Sequence, residues 1–597
     1  MTNAMPKRQE IDKKLTWDTS LIYKSPVEYR QALQDFKEMV SQFESHFKGK
    51  LTDSQTITSA LKRFEECLIV SSRLMHYSFL KLDVDKMNVE LAALANECEI
   101  VFAETEPRFS FLETELGLQD ENLLKQVISE QPQWTSYLEN ILRQKPHQLT
   151  PDQEELLANL APTLRQAYNT YETTKFEDMT FADFTANDQN FKNSYVLFEN
   201  DYEISHDTEI RRNSAKSFYQ TLRAYKNTTA STYLAHVKNE QIQAKLRGFD
   251  STIDYLLFQQ NVSRDLFDRQ IDVIMADLAP HMRRFVKLMA KSHGLENITH
   301  ADLKISLPSD FNKRITPEES KQFLMDCLGI LGEDYVKMIE QSFDERWIDF
   351  AQNEGKATGG YCATLYDGPS YILLSWTGLM NEVLVLAHEL GHAGHFQLAK
   401  KQSILNYEPS LYFIEAPSTA NEVLTCNTLL KQNADNPGFQ SYLISELISR
   451  TYFHNMVTHL LEAAFQREVY TRMDNDEYLN GDILCDIKLS ILKEFWGEDF
   501  EIGEDAGLIW MRQPHYYIGL YPYTYSAGLT IGTAMAKQLE EKPEQVVETW
   551  LETLSLGASL SAQDLAKHAG VDVSTDKPLK DTIAYVGSLV DQLEALI

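Results

Sequence analysis

Three histidines and a glutamate stand within eight consecutive positions of an otherwise aliphatic run, VLVLAHELGHAGHFQLAK (383–400): His388, Glu389, His392 and His395. Ionisable groups among apolar side chains are costly unless they are hydrogen-bonded, paired or bound to a metal. On a helix, His388 and His392 are four apart, so they share one face and lie a turn from each other. Two imidazole nitrogens so placed can meet one Zn²⁺ at about 2.0–2.1 Å each. Glu389 projects beside them, close enough to take a proton from a water at the ion without itself ligating. H-E-x-x-H is a signature with those mechanics. The bland alternative is a set of hydrogen-bonded core histidines. In a chain with 15 histidines, the pattern arises by chance in roughly a few per cent of such compositions. The flanks favour the metal: VLVLA buries the helix, and Gly391 lets another backbone approach between the two histidines.

A catalytic zinc needs a third protein ligand and an open position for water. A metzincin would have glycine at position 395 and histidine at 398, where this chain has His395 and Leu398. Downstream, SLYFIEAPSTANEVLTCNTLLK offers Glu415 and Glu422, seven apart and so on one helical face. Pro417 is tolerated only in a first helical turn, which puts Glu415 near the helix start and leaves it free to reach an ion. Glu422, two turns on, suits a carboxylate that holds an imidazole N–H, or simply a solvated helix face. Glu408, beside Pro409 in a connecting loop, is the alternative ligand. A second chemical stretch is QPHYYIGLYPYTYSAGLTIG, with His515 and five tyrosines at 516, 517, 521, 523 and 525, broken by Gly519 and Pro522. Phenol and imidazole donors there could stabilise an oxyanion, or the rings could simply pack.

The elements that position these residues read mostly as long amphipathic helices. SPVEYRQALQDFKEMVSQFESHF places Tyr29, Leu33, Phe36, Met39, Val40 and Phe43 at helical spacing. Two stretches read as extended. One is VLFENDYEISHD (196–207), which serves as a seam after the polar TANDQNFKNS. The other is GGYCATLYDGPSYILLSW (359–376), β-branched and aromatic residues around a D-G-P turn, a hairpin signal just before the histidine helix. Its edge strand could pair with an extended peptide, which makes Gly359, Gly360 and Tyr361 substrate-binding candidates. The seam divides an N-terminal helical region, 1–205, from a catalytic region, 206–597.

Composition narrows the function further. The chain of 597 residues is 43% hydrophobic and 24% charged with a formal net charge of −32, and has no block of Lys and Arg. That argues against nucleic-acid and anionic-membrane partners, and no obligate protein partner is implied. The six cysteines are scattered without a C-x-x-C pair, as for reduced thiols. MTNAMPKRQEIDKK has no apolar segment behind it, and no stretch approaches a membrane span. The expectation is a cytoplasmic protein.

HELGHAGH followed by FIEAPSTANE resembles the thimet oligopeptidase/oligoendopeptidase F family of zinc metallopeptidases, nearest its bacterial oligoendopeptidase F branch. LTWDTSLIYKSPVEY, AYKNTTASTYLAHVKNEQIQAKLRGFDSTIDYLL and GKATGGYCATLYDGPSYILLSWTGLMNEVLVLAHELGH extend the resemblance over most of the chain. It implies a mainly α fold, a helical ellipsoid with a deep substrate channel and a small β-sheet beside the zinc helix. It implies His388, His392 and Glu415 as zinc ligands and Glu389 as general base. His395 takes the place of a further family histidine that does not ligate. His515 with Tyr521 and Tyr525 matches the family's oxyanion donors, although the thimet branch has a further tyrosine where this chain has Gly528. The expected activity is cleavage of internal bonds in short peptides. A zinc carboxypeptidase or other amide hydrolase, and a catalytically silent peptide-binding protein, are the alternatives.

Overall fold

The computed structural model describes residues 5–307, 314–357 and 359–597. Contacts divide the chain into two compact units, each drawn from three separate stretches. Unit one takes Met1–Ala161, Lys313–Ser410 and Gln538–Ala569; unit two takes Pro162–Asn312, Leu411–Lys537 and Gly570–Ile597. Helices account for most of both. No helix among the described residues is long and apolar enough to cross a membrane.

Strands are few and short. In unit two β1 (Phe184–Ala186) pairs antiparallel with β2 (Gln189–Phe191). In unit one β3 (Ile348–Asp349), β4 (Tyr361–Thr364) and β5 (Ser370–Leu373) form a sheet of order β3-β5-β4, parallel for β3 and antiparallel for β4. The expected hairpin is therefore present, with Cys362 opposite Ile372 and the D-G-P turn closed by Leu365 N–H donating to the Pro369 carbonyl at 2.9 Å. β4 lies at one edge of this sheet.

The helix Pro26–Phe47 forms where the spacing placed it. Ser25 caps it, Pro26 opens it, and Tyr29, Leu33, Phe36, Val40 and Phe43 are buried on one face. The helix carrying the histidines, Met380–Ala399, packs on β4 and β5. Its first turn lacks a capping side chain at Leu379; instead the Glu382 carboxylate accepts the Thr377 and Gly378 backbone N–H groups. Tyr335 crosses it at Gly394, where an added Cβ would lie 2.4 Å from the Tyr335 ring. Its phenol donates to the Leu390 carbonyl at 3.2 Å.

The stretch 196–207, expected to be extended, is helical over 196–202, where a turn at Tyr195–Leu197 runs into a wider turn at Phe198–Tyr202, and a turn and loop over 203–207. Ser194 caps the turn by accepting from Leu197 N–H. The Phe198 ring stacks on Phe218 at 4.1 Å, and Phe218 belongs to the long helix Thr208–Leu246. Aromatic burial against that helix outweighed the β propensity of a short run. The extended structure lies just upstream, in β1 and β2, joined through Asn187 and Asp188 at φ of 48° and 58°, residues that tolerate the left-handed region.

The sheet in unit one is tied down by a buried charge. Asp349 on β3 is fully buried and accepts from Arg8, from Lys356 Nζ at 2.6 Å and from Trp17 N–H at 3.3 Å. Lys356 is itself 3% exposed. Asp349→Ala would leave that ammonium buried without its carboxylate, and is expected to cost about 3–5 kcal/mol in urea denaturation. A loss below about 1 kcal/mol would show that the carboxylate does not anchor the sheet.

Candidate active site

In unit one, His388 and His392 lie on one face of the histidine helix, their ring centroids 4.9 Å apart and their planes at 78°. Glu389, buried in the same helix, turns toward the sheet. A Cβ on Gly360 would lie 3.4 Å from Glu389 Oε1, 3.2 Å from Val385 Cγ1 and 3.5 Å from the Leu373 carbonyl. Glycine therefore lets the start of β4 approach the carboxylate. Gly359, at φ 86°, and Gly360 are both exposed. The Tyr361 phenol donates to Asp83 Oδ2 at 2.9 Å, and its ring rests on Phe79 and Trp17. That side chain fixes the start of the strand. Burial, and then the Glu389 charge, push the Cys362 thiol up, so it stays protonated beside the carboxylate. His395 is fully buried and stacks on Phe396; burial, then His392, lower its pKa to about 3, so it is a neutral packed ring.

In unit two, Glu415 is the N-cap of the helix Ala416–Gln432, with Pro417 in the first turn, as the sequence implied. It is 5% exposed, and Ser418 Oγ donates to its Oε2 at 2.9 Å. Gly528 presses directly on it: a Cβ there would lie 2.4 Å from Glu415 Cβ and 2.8 Å from its carbonyl carbon. No local pattern signals this contact, and a side chain at 528 would have to displace the Glu415 backbone. Glu422 is buried and accepts from the Thr451 hydroxyl, so it is no solvated face. Glu408, by contrast, is exposed.

The tyrosine segment sorts itself by contact. Tyr516 packs on Tyr233 and Phe465, Tyr517 bonds Thr232, and Tyr523 donates to Gln260. His515, Tyr521 and Tyr525 are only partly covered and touch one another. His515 stacks on Tyr521 at 5.5 Å and meets Tyr525 edge-on at 5.7 Å, with Tyr525 Oη 3.3 Å from His515 Nε2. The two ring nitrogens of His515 thus face Gln513, with Nδ1 3.3 Å from Gln513 Oε1, and the Tyr525 hydroxyl. Burial, with His459 next, lowers His515 to about 4. Burial, and then the Glu415 charge, raise Tyr521 to about 12; burial also raises Tyr525. All three groups are thus uncharged near neutral pH, and Glu415 is close enough to bias each.

The donor types suit a divalent metal: two imidazoles a turn apart, and a carboxylate already oriented by a serine hydroxyl. Neutral phenols and an imidazole can donate to an oxygen that gains charge without themselves being ionised. Sequence reasoning missed the contact at Gly528 and the buried pair His459 and Glu462 with His454 bonded to it, for which only the spacing of the pair along one helix face was a signal.

The model of peptidase family M3 matches residues 202–585, and that of oligopeptidase F matches 115–181. The chain is 27% identical over 601 residues to oligopeptidase PepF of Bacillus subtilis, covering 100% of this chain and 89% of that one. Its fold is similar to the crystal structure of a Chlamydophila abortus protein (TM-score 0.84, 22% identity, 99% and 100% of the two chains). It is also similar to that of oligoendopeptidase-F from Enterococcus faecium (TM-score 0.75, 21% identity, 95% and 98%).

Two outcomes follow from this geometry. Gly528→Ala should destabilise the protein by roughly 1–3 kcal/mol in denaturant titration, since backbone and not a flexible side-chain tip must yield; a neutral result would mean the approach at Glu415 is relaxed. The second concerns acid. His515 and His459 have folded pKa values near 4 and 3, against 6.5 for the free side chain. Both bind protons more weakly when folded, so their contribution to stability is complete above about pH 6.5 and falls as pH drops toward 4 and 3. Removing one group, as in His459→Phe, should make the loss of stability shallower across that window; an unchanged slope would contradict the assignment.

Proposed function

Because the chain belongs to peptidase family M3, the oligopeptide-cleaving metallopeptidases, we propose that it is a zinc-dependent endopeptidase that cuts internal bonds of short peptides in the cytoplasm. In this reading His388, His392 and Glu415 hold one ion, two imidazoles and a carboxylate being donor types that zinc takes. The observation that carries this reading is the pair of facing imidazoles on a buried helix, with the Glu389 carboxylate turned to the open edge of β4. Glu422 steadies the ligand set, and His395 packs behind it.

When bound, the zinc would polarise the scissile carbonyl and make a water more acidic. Glu389 takes the proton of the attacking water and passes it to the leaving nitrogen. The edge of β4 offers backbone N–H and C=O groups to an extended peptide, which gives affinity with little dependence on side chains. Gly360 keeps that strand close to Glu389, so the bound backbone lies beside the base. His515, Tyr521 and Tyr525 donate to the carbonyl oxygen as it gains charge. Since phenol and imidazole are neutral beforehand, their bonds strengthen mainly as the transition state forms. The helices before and after residues 359–422 exclude folded proteins, so substrates are chains of roughly 5 to 20 residues, extended at about 3.3 Å per residue. In this proposal, residues 1–205 supply one wall and 206–597 the catalytic machinery.

Glu389→Gln should keep stoichiometric zinc and lose nearly all turnover, whereas Glu415→Ala should lose the metal. A zinc-free Glu389→Gln protein would make that residue a ligand; full zinc affinity in Glu415→Ala would transfer the third position to Glu408. Mass spectrometry of products from a defined peptide library should show internal cuts, and release of C-terminal residues alone would make the enzyme a carboxypeptidase.

A further inference from the structure

Next to His515 and Tyr525, and unused by the chemistry above, three ionisable side chains form a hydrogen-bonded chain, buried at Glu462 and His459 and reaching the surface at His454. His459 opens the helix His459–Asp474, and Glu462 follows on the same face. His459 Nδ1 is 2.8 Å from Glu462 Oε2, and His459 Nε2 is 3.1 Å from His454 Nε2. His459 and Glu462 are each 1% exposed. Burial keeps the His459 imidazole neutral, and the adjoining His454 is likewise held below the usual histidine range, so each ring carries one N–H. With His459 Nδ1–H given to Glu462, its Nε2 must accept, and His454 must donate through Nε2. Both tautomers and the orientation of the His459 ring are thereby fixed.

That ring is held against the candidate donors. Its face stacks on Tyr525, centroids 4.1 Å apart and planes 14° from parallel, and its edge meets His515 at 4.9 Å. Aliphatic side chains at 459 and 462 would fill the same space at lower cost, because the buried Glu462 carboxylate and His459 imidazole give up their hydration. A polar chain here therefore calls for a use that packing alone does not supply. His459, Glu462 and His515 have donors within 4.8 Å of one another, close enough for an ion. However, the buried Lys488 and the partly exposed Lys304 ammonium groups act on this cluster and disfavour a second cation. Lys488 is 1% exposed and donates to the Leu461 carbonyl at 3.0 Å.

We propose that Glu462 and His459, tied to His454, are positioning residues. They lock the ring on which Tyr525 stacks, so that Tyr525 and His515 present their donors together to the developing oxyanion. The inference rests on the reading of those two residues as oxyanion donors.

The test is a set of double-mutant cycles on the zinc-loaded full chain with a quenched-fluorescence peptide, with metal content and thermal denaturation of each variant measured alongside. Tyr525→Phe should lower kcat by roughly 100-fold or more, as loss of an oxyanion donor does. His459→Phe should lower kcat by roughly 10-fold with little change in KM, and should add almost nothing in the Tyr525→Phe background. Glu462→Gln keeps an acceptor for His459 Nδ1–H and should retain kcat within about threefold, while Glu462→Ala should match His459→Phe. If His459→Phe does not fold, the two Glu462 variants carry the same comparison. Full additivity with Tyr525→Phe, an effect on KM alone, or equal losses in Glu462→Gln and Glu462→Ala would each overturn the positioning role while the donor reading stands. An unaltered kcat in Tyr525→Phe would overturn both.

Discussion

Two imidazoles and a carboxylate inside an aliphatic helix set the terms for everything around them. Left without partners, such groups would oppose folding of the segment that carries them. The helix Met380–Ala399 accepts them because its other faces are buried in Val383, Leu386, Ala387, Leu390 and Ala393, against β4, β5 and Tyr335. The apolar packing fixes where His388, Glu389 and His392 stand; the metal proposed for them gives their burial a purpose. The surrounding features follow from that need: a capless first turn closed by Glu382, a glycine that admits Tyr335, and a glycine that brings β4 to Glu389.

The second half of the chemistry obeys the same rule on a different scaffold. Glu415 sits at a helix start, oriented by Ser418 and pinned by Gly528, and its charge reaches His515, Tyr521 and Tyr525. Burial makes the phenols harder to ionise and the imidazole harder to protonate. The result is a set of neutral donors, the kind that can answer new negative charge without already being satisfied by a charge of their own. The chain Glu462–His459–His454 extends this ordering one layer further from the substrate.

What could be read from residues alone depended on whether the governing interaction was local. The histidine helix, the hairpin around Asp367 and Gly368, and the placing of Glu415 by Pro417 were legible, because spacing, turn chemistry and the proline rule act within a few residues. Residues 196–207 were misread, since stacking of Phe198 on Phe218 is decided by a helix that a local pattern does not contain. Gly528 was mute for a similar reason: a glycine reports close approach only when its neighbour in space is known. His459 and Glu462 carry no signature of their own, because a histidine three residues before a glutamate is an ordinary helical pair until its burial is seen. Among five tyrosines, the sequence could nominate a segment, and only the contacts separated the packed 516, 517 and 523 from 521 and 525.

The claim at the centre is that one divalent ion is held by His388, His392 and Glu415 with Glu389 beside it and not on it. Anomalous diffraction at the zinc edge from crystals of the protein as purified tests this directly. The account predicts a single strong peak contacted by those three side chains, at about 2.0–2.2 Å. A peak ligated by Glu389 in place of Glu415, or one lying instead among His459, Glu462 and His515, would contradict it.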